Sequence, residues 1–150
     1  MIISGIGMKE FNVIICGSRE WTDYDLLKQK CDAYLKNKLS DPDTKVIIVS
    51  GCARGADTLG EEYAKERGLE VKKFPAKWDK YGKRAGYLRN MDMAEVGNAV
   101  IAFYSATSEN KGTKMMVRIG REKHLLIREV YDKKLQKETS DNSSTGMERE

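Results

Sequence analysis

The sequence predicts a doubly wound α/β fold built on a mostly parallel five-stranded sheet. Three observations carry this. Short β-branched runs alternate with stretches of helical periodicity. The connections between successive runs are about 29, 20, 24 and 20 residues long, all above the dozen or so that a parallel crossover requires. The most apolar runs have no polar alternation, as strands covered by helices on both faces must.

Residues 11–16 (Phe-Asn-Val-Ile-Ile-Cys), 46–49 and 99–104 read as central strands, each bounded by turn formers. Residues 70–74 and 125–130 mix charge with apolar side chains. That suits edge strands, where charge guards against aggregation. A first helix places Leu27, Cys31, Tyr34 and Leu35 on one stripe, with Asp23 or Thr22 able to cap it. A second carries Leu59, Gly60, Tyr63 and Ala64 and can end at Gly68. A third over 85–96 and a fourth from 113 to about 120 are less regular, with methionines such as Met91 and Met116 as core filler.

A chain of 150 residues fits one domain, expected over 11–134. At this size folding buries about 68–70% of the unfolded surface, so the core needs no staples. Residues 1–10 read as a flexible extension and 135–150, polar and without large aliphatic or aromatic residues after Leu135, as a disordered tail. Cys16, Cys31 and Cys52 are odd in number and lack C-x-x-C spacing, so neither a disulfide framework nor a zinc site is indicated. Without a basic leader or a long apolar run, the reading is cytoplasmic, with no membrane partner.

The net charge is +4, yet residues 72–89 alone hold seven basic residues against Asp79, a local +6 that leaves the remainder at −2. Trp78, Tyr81 and Tyr87 interleave with these cations, a pattern that suits a nucleotide or nucleic acid; lysines kept for solubility give the same pattern.

In a sheet of order 3-2-1-4-5, ligands sit beyond the carboxyl ends of the first and fourth strands. Three junctions should meet there. Gly17, Ser18 and Arg19 follow strand one. Ser50, Gly51, Arg54, Gly55 and Asp57 follow strand two. Lys111, Gly112 and Thr113 open helix four. Helix N-termini offer unpaired N–H groups and a positive dipole end, glycines allow close approach, and arginine supplies a two-pronged donor, so phosphate is the expected guest. A tight turn kept for packing is the other reading of the glycines. Asp57 either complements the dipole of its helix or accepts from sugar hydroxyls. Cys52 is either a small buried residue or a reactive thiol near Arg54, and Glu109 reads as solvated. His124 is the only histidine, which leaves no triad. No Walker loop and no carboxylate pair at metal-binding spacing is present, so no metal or cofactor is expected beyond a bound nucleotide.

Cys-Gly-Ser-Arg at 16–19, Ser-Gly-Cys-Ala-Arg-Gly-Ala-Asp at 50–57, and the run from Trp78 through Tyr81, Arg84 and Arg89 to Asn90 carry a family likeness, closed by Asn98-Ala99-Val100-Ile101-Ala102-Phe103 and Lys111-Gly112-Thr113. Together they resemble the SLOG superfamily, Rossmann-like proteins related to Smf/DprA and Lonely Guy, and within it the YspA-like subgroup. The resemblance implies a pocket for a nucleotide or an ADP-ribose-like derivative, in a sensor, carrier or sequestering protein, with Trp78 or Tyr81 stacking on a base and Arg84 and Arg89 adding charge. It also implies pairing of two copies through helices. Lonely Guy enzymes cleave the N-glycosidic bond of nucleoside monophosphates with a glutamate within a turn of their Gly-Thr. Here Lys114, Met115 and Met116 follow instead, which disfavours that activity. Single-stranded nucleic acid, as in the DprA relatives, is the third reading.

Overall fold

The computed structural model describes residues 8–133. Its elements are β1 (Lys9–Gly17), α1 (Tyr24–Ser40), β2 (Thr44–Ser50), α2 (Ala56–Arg67), β3 (Glu70–Lys73), α3 (Trp78–Tyr81), a 3-10 turn over Gly82–Arg84, α4 (Ala85–Val96), β4 (Ala99–Tyr104), α5 (Lys111–Glu122) and β5 (Leu126–Tyr131). The five strands are all parallel, in the order β3-β2-β1-β4-β5.

Strand alternation divides the core in two. Val13, Ile15, Val46, Ile48, Ile101 and Phe103 face α1 and α2, where Leu27, Cys31, Leu35, Tyr63 and Ala64 cover them. Ile14, Cys16, Val49, Val100 and Ala102 face α4 and α5, against Met93, Ala94, Met116, Val117 and Ile119. Because β1 pairs with both β2 and β4, its Val13, Ile14 and Ile15 are fully buried. The edges carry charge, with Lys45 bridging to Glu70 on β3 at 2.8 Å.

Asp23 caps α1, its carboxylate accepting from the Leu26 N–H at 3.0 Å, and Gly68 ends α2 in the left-handed region. Strand β1 starts two residues before its expected position. Lys9 donates to the Asp43 carbonyl at 2.8 Å and pairs with Thr44, so Lys9 and Glu10 belong to the sheet rather than to an extension. Helix α5 likewise begins two residues before 113. The four-residue α3 has no sequence signal, being shorter than one hydrophobic repeat. The 135–150 tail and residues 1–7 lie outside the described residues. No described helix is long and apolar enough to cross a membrane.

Candidate functional site

Strand β1 leaves the sheet toward α1 on one face and β4 leaves toward α5 on the other. Their carboxyl ends therefore part and open a cleft of about 610 Å³. The β1–α1 loop, the start of α2, the α3–α4 segment and the start of α5 all line it.

The first two walls are sewn together by backbone. Ser18 donates its N–H to the Phe103 carbonyl at 2.9 Å, and its own carbonyl accepts from Trp21 and, at 3.1 Å, from Ala56 at the head of α2. Gly55, at φ +83°, lies against this loop so closely that a Cβ would fall 2.3 Å from the Ser18 oxygen and 2.6 Å from the Arg19 Cα. Gly55 thus serves the joining of the two loops.

At the opposite wall Asn110 holds the left-handed φ of +57° before α5. Its amide oxygen accepts from the Ser105 N–H at 3.1 Å, and its nitrogen donates to the Ser105 and Ser108 carbonyls at 2.9 and 3.0 Å. The first helical bond runs from Lys114 to the Asn110 carbonyl. The N–H groups of Lys111, Gly112 and Thr113 have no acceptor among the described residues, no side chain caps the helix, and its first turn has no acid. The end is uncapped, and such an end has the donors and the dipole that suit an anion. The head of α2 is closed by contrast: Ala56 is bound to Ser18, Ala53 N–H donates to Asp57 Oδ2 at 3.2 Å, and Thr58 Oγ1 donates to the Ala53 carbonyl.

Arg89 on α4 reaches across the floor. Its Nη1 donates to the Gly51 carbonyl and its Nε to Asn90 Oδ1 at 2.9 Å. Asp57 lies beside it, 6% exposed. Burial pushes the Asp57 carboxyl up to about 6 against the opposing pull of the Ala53 N–H and Arg89. Burial, with Asp57 nearby, also raises the Cys16 thiol beneath the cleft.

Gly17, Ser18, Arg19, Arg54, Asp57, Trp78, Arg89, Asn90, Lys111, Gly112 and Thr113 all line this one cleft. Arg54 is extended and 71% exposed, 3.5 Å from Glu20. Five expected site residues lie elsewhere. Ser50 is buried at the end of β2, donating to Glu61 at 2.6 Å and accepting from Cys52 N–H. Gly51 faces an adjoining groove with Pro75 and Trp78. Gly55 is under Arg19. Tyr81, the last residue of α3, lines a further groove that also includes Arg89. Arg84, in that turn, is exposed outside the cleft.

Cys52 is exposed, not buried, at φ +67°; burial of its sulfur and the charge of Glu61 raise its thiol rather than lower it. Glu109 pairs with Lys111 and faces a separate cavity against α5 and β5. Glu20, Lys83, Tyr87, Thr107, Ser108 and Asn110 line the cleft as well. For Asn110 the signal is an asparagine, tolerant of positive φ, closing a Ser/Thr-rich loop before a helix. No group of three or more His, Cys, Asp or Glu among the described residues is placed to hold a metal ion.

Residues 11–81 match the model of the YspA, cpYpsA-related SLOG family. The Gene 61 protein of Mycobacterium phage D29 is 32% identical over 111 residues, covering 71% of this chain and 85% of that protein. The chain belongs to the YspA, cpYpsA-related SLOG family. The fold of this SLOG protein is similar to that of DNA processing protein A (DprA) from Streptococcus pneumoniae, with a TM-score of 0.57 at 16% identity over 81% of this chain. The chain spans half the length of that protein. The family match stops at Tyr81, so the Arg89 and α5 walls of the SLOG cleft lie beyond it.

Proposed function

We propose that this SLOG protein binds a phosphorylated nucleoside or an ADP-ribose-like derivative, as a sensor, carrier or sequestering protein. The observation that carries the reading is the open N-terminus of α5, facing Ser18, Arg19 and Arg54 across one cleft. Phosphate would take the free N–H groups of Lys111, Gly112 and Thr113 and the two arginines. Trp78 and Tyr87, 51% and 41% exposed, offer faces for a base. Family membership supports a nucleotide or nucleic acid as ligand.

Titration calorimetry against AMP, ADP, ADP-ribose and NAD tests it. Binding of one or more, weakened about tenfold by Arg19→Ala through loss of a charge-assisted contact, is expected. Absence of heat with every member, confirmed by unchanged melting temperature, would sink the reading.

A second reading is single-stranded nucleic acid. The cleft, the Gly51–Pro75 groove and the Tyr81 groove all share Arg89, and Lys73, Lys77, Lys83 and Lys111 border them. Neutralising Z phosphates on a single strand gives a slope near −0.7Z of log K against log salt. An oligonucleotide affinity that ignores salt excludes it.

A further inference from the structure

Asp57 is an anomaly in a cleft read as a phosphate site. It lines the cleft with Arg19 and Arg89, yet its carboxylate repels the very group those arginines attract. Its two oxygens differ. Oδ2 is held by the Ala53 N–H at 3.2 Å. Oδ1 has no hydrogen-bond donor among the described residues. Among the described residues the one buried side-chain atom left without a partner is Asn12 Oδ1, so the Asp57 oxygen is not sealed away and meets the cleft. The side chain as a whole is fixed in place, 6% exposed and beside Arg89. In its ionised form, a fixed carboxylate with one free oxygen accepts hydrogen bonds and donates none.

We propose that Asp57 selects a ribose-bearing ligand by accepting a hydrogen bond from a sugar hydroxyl through Oδ1. This rests on the nucleotide reading given above. With phosphate at the head of α5 and the base against Trp78 or Tyr87, the sugar is the part that joins them and crosses the floor where Asp57 stands. A deoxyribose leaves the oxygen unpaired and desolvated, so discrimination comes from the buried acceptor itself. The same carboxylate keeps a second phosphate from settling on the floor, which fixes the direction of the bound ligand. Asn90, hydrogen-bonded to Arg89 Nε, holds the guanidinium that balances this charge.

The test uses the intact protein with AMP and ADP-ribose, each against its 2′-deoxy and 3′-deoxy counterparts, and with IMP in place of AMP to remove the exocyclic amine. Wild type is expected to bind the ribose form about tenfold or more tightly than at least one deoxy form. In Asp57→Asn the oxygen stays with the Ala53 N–H and an NH2 group faces the cleft, so the acceptor is lost and the ratio falls to near one. Melting curves confirm that the variant is folded, and the wild-type comparison needs no variant. Equal affinity for ribose and deoxyribose forms in wild type overturns the proposal while leaving the nucleotide reading intact. So does discrimination that follows the exocyclic amine, or a ratio that Asp57→Asn leaves unchanged. Failure of every probe to bind overturns the nucleotide reading itself, and this proposal with it.

Discussion

Arg89 donates through Nη1 to the carbonyl oxygen of Gly51, 38 residues earlier in the chain. The contact ties α4 to the turn after β2, and it exists because residue 51 has no side chain. A Cβ there would lie 2.7 Å from Nη1 and 2.9 Å from Asp57 Oδ2.

Gly51→Ala should therefore move Arg89 more than it harms the fold, since what it meets is the tips of two side chains. The expected stability loss is about 1 kcal/mol, with ligand affinity down about tenfold through the displaced cation. Urea unfolding and calorimetry read the two separately; a larger loss of folding than of binding would contradict it.

Gly55→Ala meets backbone instead, at 2.3 Å from the Ser18 oxygen, and sits at φ +83°. Strain and overpacking together should cost about 3 kcal/mol or more. Gly112→Ala is the control. Nothing lies within 4 Å of its Cβ and it is helical, so stability should hold or rise by up to about 1 kcal/mol. Denaturant midpoints of the two variants should move in opposite directions or differ widely.

The buried Asp57 carboxyl, at about 6 against an ordinary 3.8, makes stability depend on pH. The folded value is the higher one, so this group's contribution is full below about 4 and is lost as pH rises through 6. Roughly two units correspond to up to about 3 kcal/mol. Asp57→Asn should then melt higher than wild type at pH 7.5, with the gap closing toward pH 4. A gap that is the same at both values would refute the assignment.

Asn110 holds both a left-handed φ and three side-chain hydrogen bonds. Asn110→Gly keeps the backbone freedom and loses the bonds; Asn110→Ala loses both. Thermal melts should rank wild type above glycine and glycine above alanine, with steps of about 1 kcal/mol. Nucleotide affinity should follow the same rank as the α5 terminus loosens.

Much of this was legible in the sequence, for reasons that differ by element. Strands β1, β2 and β4 are buried on both faces, so their composition alone marks them, and the crossover lengths force parallel pairing. Of the eleven residues that converge on the cleft, those of the β1, β2 and α5 junctions are legible because each sits at a strand end or helix start, which the strand order brings to one rim; Arg89 and Asn90, inside α4, are legible only through the family likeness. The places of Tyr81 and Arg84 outside the cleft depend on the single turn of α3 and on the 3-10 turn that starts at Gly82, φ +58°, neither of which periodicity announces. The exposure of Cys52 follows from its place in a turn at positive φ, which the usual burial of cysteine does not foretell. Asp57's unequal oxygens depend on one backbone N–H and have no sequence signature.

The cleft draws its walls from Gly17 at the end of β1 to Thr113 in the first turn of α5. During synthesis, then, a nascent polypeptide holding all of β1, β2 and β3 would still have only half a vessel. On the nucleotide reading, ligand capture would wait until α5 has emerged and closed the far side, and a bound molecule would afterwards act as a rivet between the early and late portions of the fold.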